Sequence, residues 1–137
     1  MGLEIEIKER GAETVVMALR GEMGILGASY FKKVIRNLTR GGKNRIILLL
    51  DGLRRLDCTG LGALVEGLKI AREKNGGLDL VLSKSEAKKI PCLTELSRSF
   101  RVFRSEREAS RIVNRRPENE MEKKDVRRKT AVEKTSL

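Results

Sequence analysis

A thiol and a hydroxyl stand next to each other at Cys58 and Thr59, preceded by the carboxylate of Asp57 and followed by Gly60, Leu61, Gly62, Ala63 and Leu64. If a helix begins there, its first backbone N–H groups have no intrahelical acceptors and carry the positive end of the helix dipole. Such a place suits an anion, a phosphoryl group or the acceptor groups of a partner. Other chemistry is poorly supplied. The chain has no histidine, its second cysteine, Cys92, forms no CxxC pair with the first, and there is no Gly-x-x-x-x-Gly-Lys loop. No carboxylate pair can be placed for acid–base work. We therefore expect no enzyme, no metal and no cofactor. Taken alone, Cys58 reads first as a small apolar residue filling a small space and second as a redox-sensitive thiol.

The elements that must hold this turn follow from periodicity. Arg45 to Leu50 is a continuous apolar run ended by Asp51-Gly52, which reads as a central strand covered on both faces, followed by a basic turn through Arg54 and Arg55. Leu61, Leu64, Val65 and Leu68 recur at helical spacing, with Glu66, Lys69, Arg72 and Glu73 on the opposite side. Gly62 and Gly67 inside that helix each cost about 1 kcal/mol relative to alanine, so close packing or a partner's approach must favour them. Lys74-Asn75-Gly76-Gly77 stops the helix, and Leu78 to Leu82 is a further strand.

Upstream, Leu3 to Glu9 alternates as a half-buried strand with odd positions inward, Arg10 to Glu13 turns, and Thr14 to Arg20 returns antiparallel to it until Gly21. Glu22 to Ala28 reads as a loop. A helix is expected from Ser29, with Phe31, Val34, Ile35 and Leu38 inward, Lys32, Lys33, Arg36 and Arg40 outward, and Gly41-Gly42 as its stop. Downstream, Ser85 is expected to cap a third helix that Pro91 kinks, Arg101 to Phe103 is a short extended piece, and Ser105-x-x-Glu108 is a capping box for a last helix with Ala109, Ile112 and Val113 inward. Strand, helix and strand follow one another twice. The expected fold is α/β: one domain with a mixed β-sheet of four to five strands and about four α-helices, parallel except for the first hairpin.

Asp57-Cys58-Thr59-Gly60-Leu61-Gly62, coming after Asp51-Gly52-Leu53-Arg54-Arg55-Leu56, resembles the Asp-Ser-Ser/Thr-Gly-Leu-Gly signature of the STAS family, whose soluble bacterial members are anti-sigma factor antagonists. The resemblance continues through Gly76 to Val81, Ser85 to Ile90, Phe100 to Phe103 and Ser105 to Ala109, and it covers about Leu3 to Asn114. It implies a protein partner, an anti-sigma factor that is often a serine kinase, which releases its sigma factor when bound. It also implies docking through Glu22, Met23, Asp57, Cys58, Thr59, Gly60, Leu61 and Gly62. The family's kinase phosphorylates the residue after the Asp, adding about −1.5 to −2 charge to the contact surface. Here that position is Cys58, with Thr59 as the adjacent hydroxyl, and in Gly21-Glu22-Met23-Gly24 a glycine replaces the family's acidic residue at 24.

Thirty Lys+Arg against 19 Asp+Glu give a net charge of +11, which admits nucleic acid, an anionic surface or an acidic protein face. One Tyr, three Phe and no Trp offer little for base stacking, so a specific nucleic-acid site is not expected. A scaffold subunit of a stressosome-like assembly or of a lipid-transport system is the alternative within the same family, and an electrostatic nucleic-acid binder the alternative outside it. The alternating N-terminus and the absence of long apolar runs give no sign of a signal peptide or membrane span, and together with few cysteines they suggest a reducing, cytoplasmic setting. Oligomeric state is left open.

Residues 1–114 read as the domain and 115–137 as a charged, solvated tail with eight Lys/Arg, five Asp/Glu and no apolar periodicity. Deleting 115–137 should leave the melting temperature unchanged, because the tail offers no face to bury. A drop of several degrees after truncation would show that the tail belongs to the folded unit.

Overall fold

The structure, a computed structural model, describes residues 2–87, 90 and 93–112. The expectations placed on Pro91, Cys92, Val113 and the 115–137 tail lie outside them. Five strands form one sheet in sequence order: β1 (Leu3–Glu9), β2 (Thr14–Met23), β3 (Arg45–Leu56), β4 (Gly77–Val81) and β5 (Val102–Phe103). β1 is antiparallel to β2, and every later neighbour is parallel. The helices are α1 (Ile25–Arg40), α2 (Cys58–Glu73), α3 (Lys84–Ala87), α4 (Leu93–Ser99) and α5 (residues 106–112). The α/β fold with a mixed sheet is thus as expected.

Strand alternation divides the core between the two faces of the sheet. Val15, Met17 and Leu19 of β2, Ile46, Leu48 and Leu50 of β3, and Leu78 and Leu80 of β4 join Phe31 and Ile35 of α1 and Leu64 and Leu68 of α2 in the main cluster. The intervening Val16, Ile47 and Val81 meet Ala109 of α5 on the opposite face. Residues of β3 therefore alternate between two covered faces, which is why its sequence is a continuous apolar run. In the middle of β4, Asp79 is buried, and its carboxylate accepts two hydrogen bonds from Arg101 at 3.0 and 2.7 Å. Lone burial of that charge is avoided by the paired guanidinium.

Four boundaries differ from the sequence-based expectation. Asp51-Gly52 does not end β3, which continues through Arg54 and Arg55 to Leu56. Pairing with β2 shifts register twice, so that Ala18↔Leu49 is followed by Arg20↔Gly52, and Gly21↔Leu53 by Glu22↔Arg55. Each shift places an extra residue in β3. The bulges turn Leu50, Leu53 and Leu56 inward at every third residue, where a regular strand would alternate. Gly52 is needed at the first: a Cβ there would lie 2.7 Å from the Leu19 carbonyl oxygen.

Likewise, Gly21 does not end β2. Its φ of +101° is available to glycine, and the Gly2 carbonyl occupies the space a Cβ would take. β2 runs on to Met23, and α1 begins at Ile25 in place of Ser29, so the expected loop from Glu22 to Ala28 reduces to Gly24. Finally, α3 is opened by Ser83 and not by Ser85: the Ser83 carbonyl accepts from the Ala87 N–H at 2.9 Å, and its hydroxyl from the Glu86 N–H at 3.4 Å. Among the described residues no helix is long and apolar enough to cross a membrane.

The other punctuation is as read. Gly42 takes the positive φ, +88°, after α1, whereas after α2 Asn75 takes it at 65°, because Gly76 must lie against the Asn44 carbonyl. The Ser105 hydroxyl accepts from the Glu108 N–H at 3.2 Å, while the Glu108 carboxylate reaches back to the N–H of Arg104 at 3.0 Å, one residue before the partner of a standard capping box.

Candidate functional site

β2 and β3 are parallel neighbours whose last residues, Met23 and Leu56, pair with each other. The next residue in each case, Gly24 or Asp57, is the N-cap of a helix, so α1 and α2 start side by side at the same edge of the sheet. Neither helix has an acidic residue in its first turn, and α1 has no side-chain cap. Two positive dipole ends and several free N–H groups are therefore grouped together.

Asp57 is extended (φ −99°, ψ −171°), and its carboxylate accepts from the Gly60 N–H at 2.9 Å. It is thus a helix cap, worth about 1 kcal/mol, as well as a surface charge. Gly60 follows from the packing beneath: a Cβ would lie 2.7 Å from Leu56 Cδ1 and 2.9 Å from the Met23 carbonyl oxygen. The absent side chain lets α2 start directly on the ends of the two strands.

The residues singled out from sequence divide into a platform and a surface. Met23 is fully buried and Gly60 is buried: both lie beneath the turn, Met23 because it closes the core at the end of β2, so the Met23 side chain is not presented at the surface. Glu22 and Leu61 are half-buried, and Asp57, Cys58, Thr59 and Gly62 are exposed. The thiol of Cys58 is free and exposed. Its reading as a buried filler is therefore corrected, because the small space at this turn is filled by Gly60 and position 58 points out of the first turn. The two helical glycines also part company. Gly67 is buried, and a Cβ would come within 3.0 Å of Phe31 Cε2 and 3.3 Å of Leu78 Cδ1. Gly62 has nothing within 4 Å.

Sequence reasoning missed Ile25 and Leu26, which are 76% and 85% exposed, and Tyr30 at 47%. They lie in the first two turns of α1, whose start shares one edge of the sheet with the start of α2. A signal was present, since Leu26 and Tyr30 are spaced by four residues off the Phe31–Ile35 stripe. Glycines at 21, 24 and 27 made that stretch look like a loop. Gly27 instead lies against the opening of β1, where a Cβ would be 3.1 Å from the Glu22 carbonyl oxygen and 3.2 Å from Leu3 Cβ.

Comparison with known proteins places residues 4–109 in the STAS domain family. A Thermotoga maritima protein provisionally named an anti-sigma factor antagonist is 29% identical over 105 residues, covering 76% of this chain and 93% of the relative. The crystal structure of a Thermotoga maritima protein with the same provisional name superposes with a TM-score of 0.69 at 27% identity, over 81% of this chain and 95% of that one. The anti-sigma factor antagonist SpoIIAA, unphosphorylated, shares the fold with a TM-score of 0.63 at 18% identity, over 82% of this chain and 99% of that one. The Bacillus cell fate determinant SpoIIAA has also been solved phosphorylated, with a TM-score of 0.56 at 19% identity, over 80% of this chain and 99% of that one.

The contrast between the two glycines yields a direct test of the site geometry. Gly62→Ala meets open space in a helix and should stabilise the fold by about 0.5–1 kcal/mol. Gly67→Val forces methyls against Phe31 and Leu78 and should destabilise it by about 1–3 kcal/mol. Urea unfolding of both variants checks the pair, and equal effects would contradict the packing described.

Proposed function

The chain belongs to the STAS domain family, and from that premise we propose that it is a non-catalytic regulator that binds an anti-sigma factor and thereby releases a sigma factor. The carrying observation is the grouping of exposed Ile25, Leu26, Asp57, Cys58, Thr59 and Gly62 at the paired starts of α1 and α2. Large apolar side chains held in water on rigid elements favour a protein partner. Gly62 supports the same reading: a helix that would gain stability from alanine there keeps a glycine that no internal contact requires, and close approach of a partner supplies the reason.

Cys58 stands where the family's phosphoacceptor serine stands, as the first residue of α2. A serine kinase has no hydroxyl to use at that position. Thr59 is displaced by about 100° around the helix and so presents its hydroxyl in another direction. The proposed regulator is therefore competent to bind without dephosphorylation, and its control lies elsewhere than in serine phosphorylation at 58. Arrival of a phosphate would have added charge to the docking surface itself.

Purified anti-sigma factors of the source genome, passed one at a time over the immobilised full chain, should include one that is retained. Gly62→Arg, a bulky change on an exposed position, should abolish retention without lowering the melting temperature. Asp57→Asn keeps the capping oxygen and removes the charge, so any loss of affinity it causes is electrostatic. After incubation with that partner and ATP, intact mass should show wild type unmodified and Cys58→Ser carrying one phosphate when the partner is a serine kinase. A stoichiometric phosphate on wild type would overturn the proposal for Cys58, and mapping it to Thr59 would locate the switch one residue further on.

A further inference from the structure

Resting on that docking reading, we propose that the partner surface does not stop at the helix starts but continues along the outer face of α1, and that it takes an acidic segment of the partner with bulky apolar side chains at one end. α1 has three longitudinal strips. Ala28, Phe31, Ile35 and Thr39 are buried against the sheet. Ile25, Lys32 and Arg36, at spacings of seven and four, form the flank toward α2, because Lys32 Nζ and Arg36 Nη2 reach the Glu66 carboxylate at 3.7 and 4.0 Å. Leu26, Tyr30, Lys33, Asn37 and Arg40 make the third strip, and all five are exposed.

This third strip changes character along its length. Its first turns carry Leu26 and Tyr30, following Ile25 from the edge of the sheet where α1 and α2 both start. Its remainder carries Lys33, Asn37 and Arg40, which with Ser29 and Arg36 line one shallow concavity. Among the described residues neither Lys33 nor Arg40 makes an ion pair, whereas the flanking Lys32 and Arg36 share Glu66. From Leu26 to Arg40 the helix rises about 21 Å. The complementary ligand is a polypeptide with apolar side chains over the helix starts and carboxylates spread along the next two to three turns.

A membrane surface fits less well. A helix that lies in a bilayer interface carries its apolar face along its whole length, but the long apolar face of α1, Phe31 and Ile35, is in the core, and only its N-terminal end is apolar outside. Nucleic acid fits less well too, since Tyr30 is the single aromatic on the strip and stacking supports would be expected along it.

The probe is a synthetic peptide of about 18 residues, long enough to follow the strip as a helix, with Leu and Phe at one end and Glu elsewhere. Its scrambled sequence is the control, read by fluorescence anisotropy on the full chain. Wild type should bind the ordered peptide about tenfold more tightly than the scrambled one. K33E/R40E should remove that preference and most of the salt dependence. L26S/Y30S, at positions whose exposure makes the change tolerable to the fold, should weaken binding about tenfold while leaving the salt dependence intact. Equal affinity for ordered and scrambled peptides would overturn the proposal. So would tighter binding to phosphatidylserine-containing vesicles or to single-stranded RNA, lost in the same variants. The same variants, applied to the retained anti-sigma factor, separate the two readings. If that complex is lost in Gly62→Arg and in L26S/Y30S but unchanged in K33E/R40E, docking stands and its extension along α1 fails. If the peptide behaves as described while no anti-sigma factor is retained, the α1 surface stands and the anti-sigma reading fails.

Discussion

The parallel pairing of β2 with β3, held in register until Met23 meets Leu56, is the constraint on which the rest depends. Because both strands end together and each turns at once into a helix, two helix starts are brought to one edge of the sheet. Their relative position is then set by rigid contacts. Gly60 lies against Leu56 and the Met23 carbonyl, and Gly67 lies against Phe31 of α1 and Leu78 of β4. β3 reaches that edge only by carrying two extra residues, and the bulges keep Leu50, Leu53 and Leu56 in the core while doing so. The proposed docking surface is thus held by strands and helices, with Gly24 as the only residue between β2 and α1.

Much of this was legible in the residues, and the failures have physical causes. The apolar run at Arg45 to Leu50 and the helical spacing of Leu61 to Leu68 each reported a burial pattern, whereas in the alternating Leu3 to Glu9 only Leu3 and Ile5 are half-buried and Ile7 is exposed, because β1 is an edge strand paired on one side only. Asp51-Gly52 and Gly21 misled because glycine in a strand can mark a turn or a bulge, and only the neighbouring carbonyl, from Leu19 or Gly2, decides between them. The segment from Glu22 to Ala28 was obscured for the same reason. Its helical start is secured by contacts with β1 that are distant in sequence, so the exposed pair Ile25-Leu26 could not be recognised as a surface feature. Met23 and Cys58 show the converse limit: the family resemblance implied a contact at 23 and residue type suggested a buried filler at 58, whereas Met23 is buried and Cys58 exposed.

Glycine thus has two separate roles along α2, and only their separation gives the site its meaning. At 60 and 67 the missing side chain is required by packing, whereas at 62 no internal contact requires it. An unfilled, exposed position in the same first turns of α2 as exposed Cys58 and Thr59, at the sheet edge where α1 also starts, supports a partner in close approach. On the proposed reading, the thiol at 58 distinguishes this surface from one regulated by serine phosphorylation. Hydrogen–deuterium exchange of the full chain, alone and with its retained anti-sigma factor, tests this most directly. The account predicts slowed exchange in residues 22–30 and 57–62, with α5 on the opposite face of the sheet unchanged. Slowed exchange confined to α5 and the strands beneath it would contradict it.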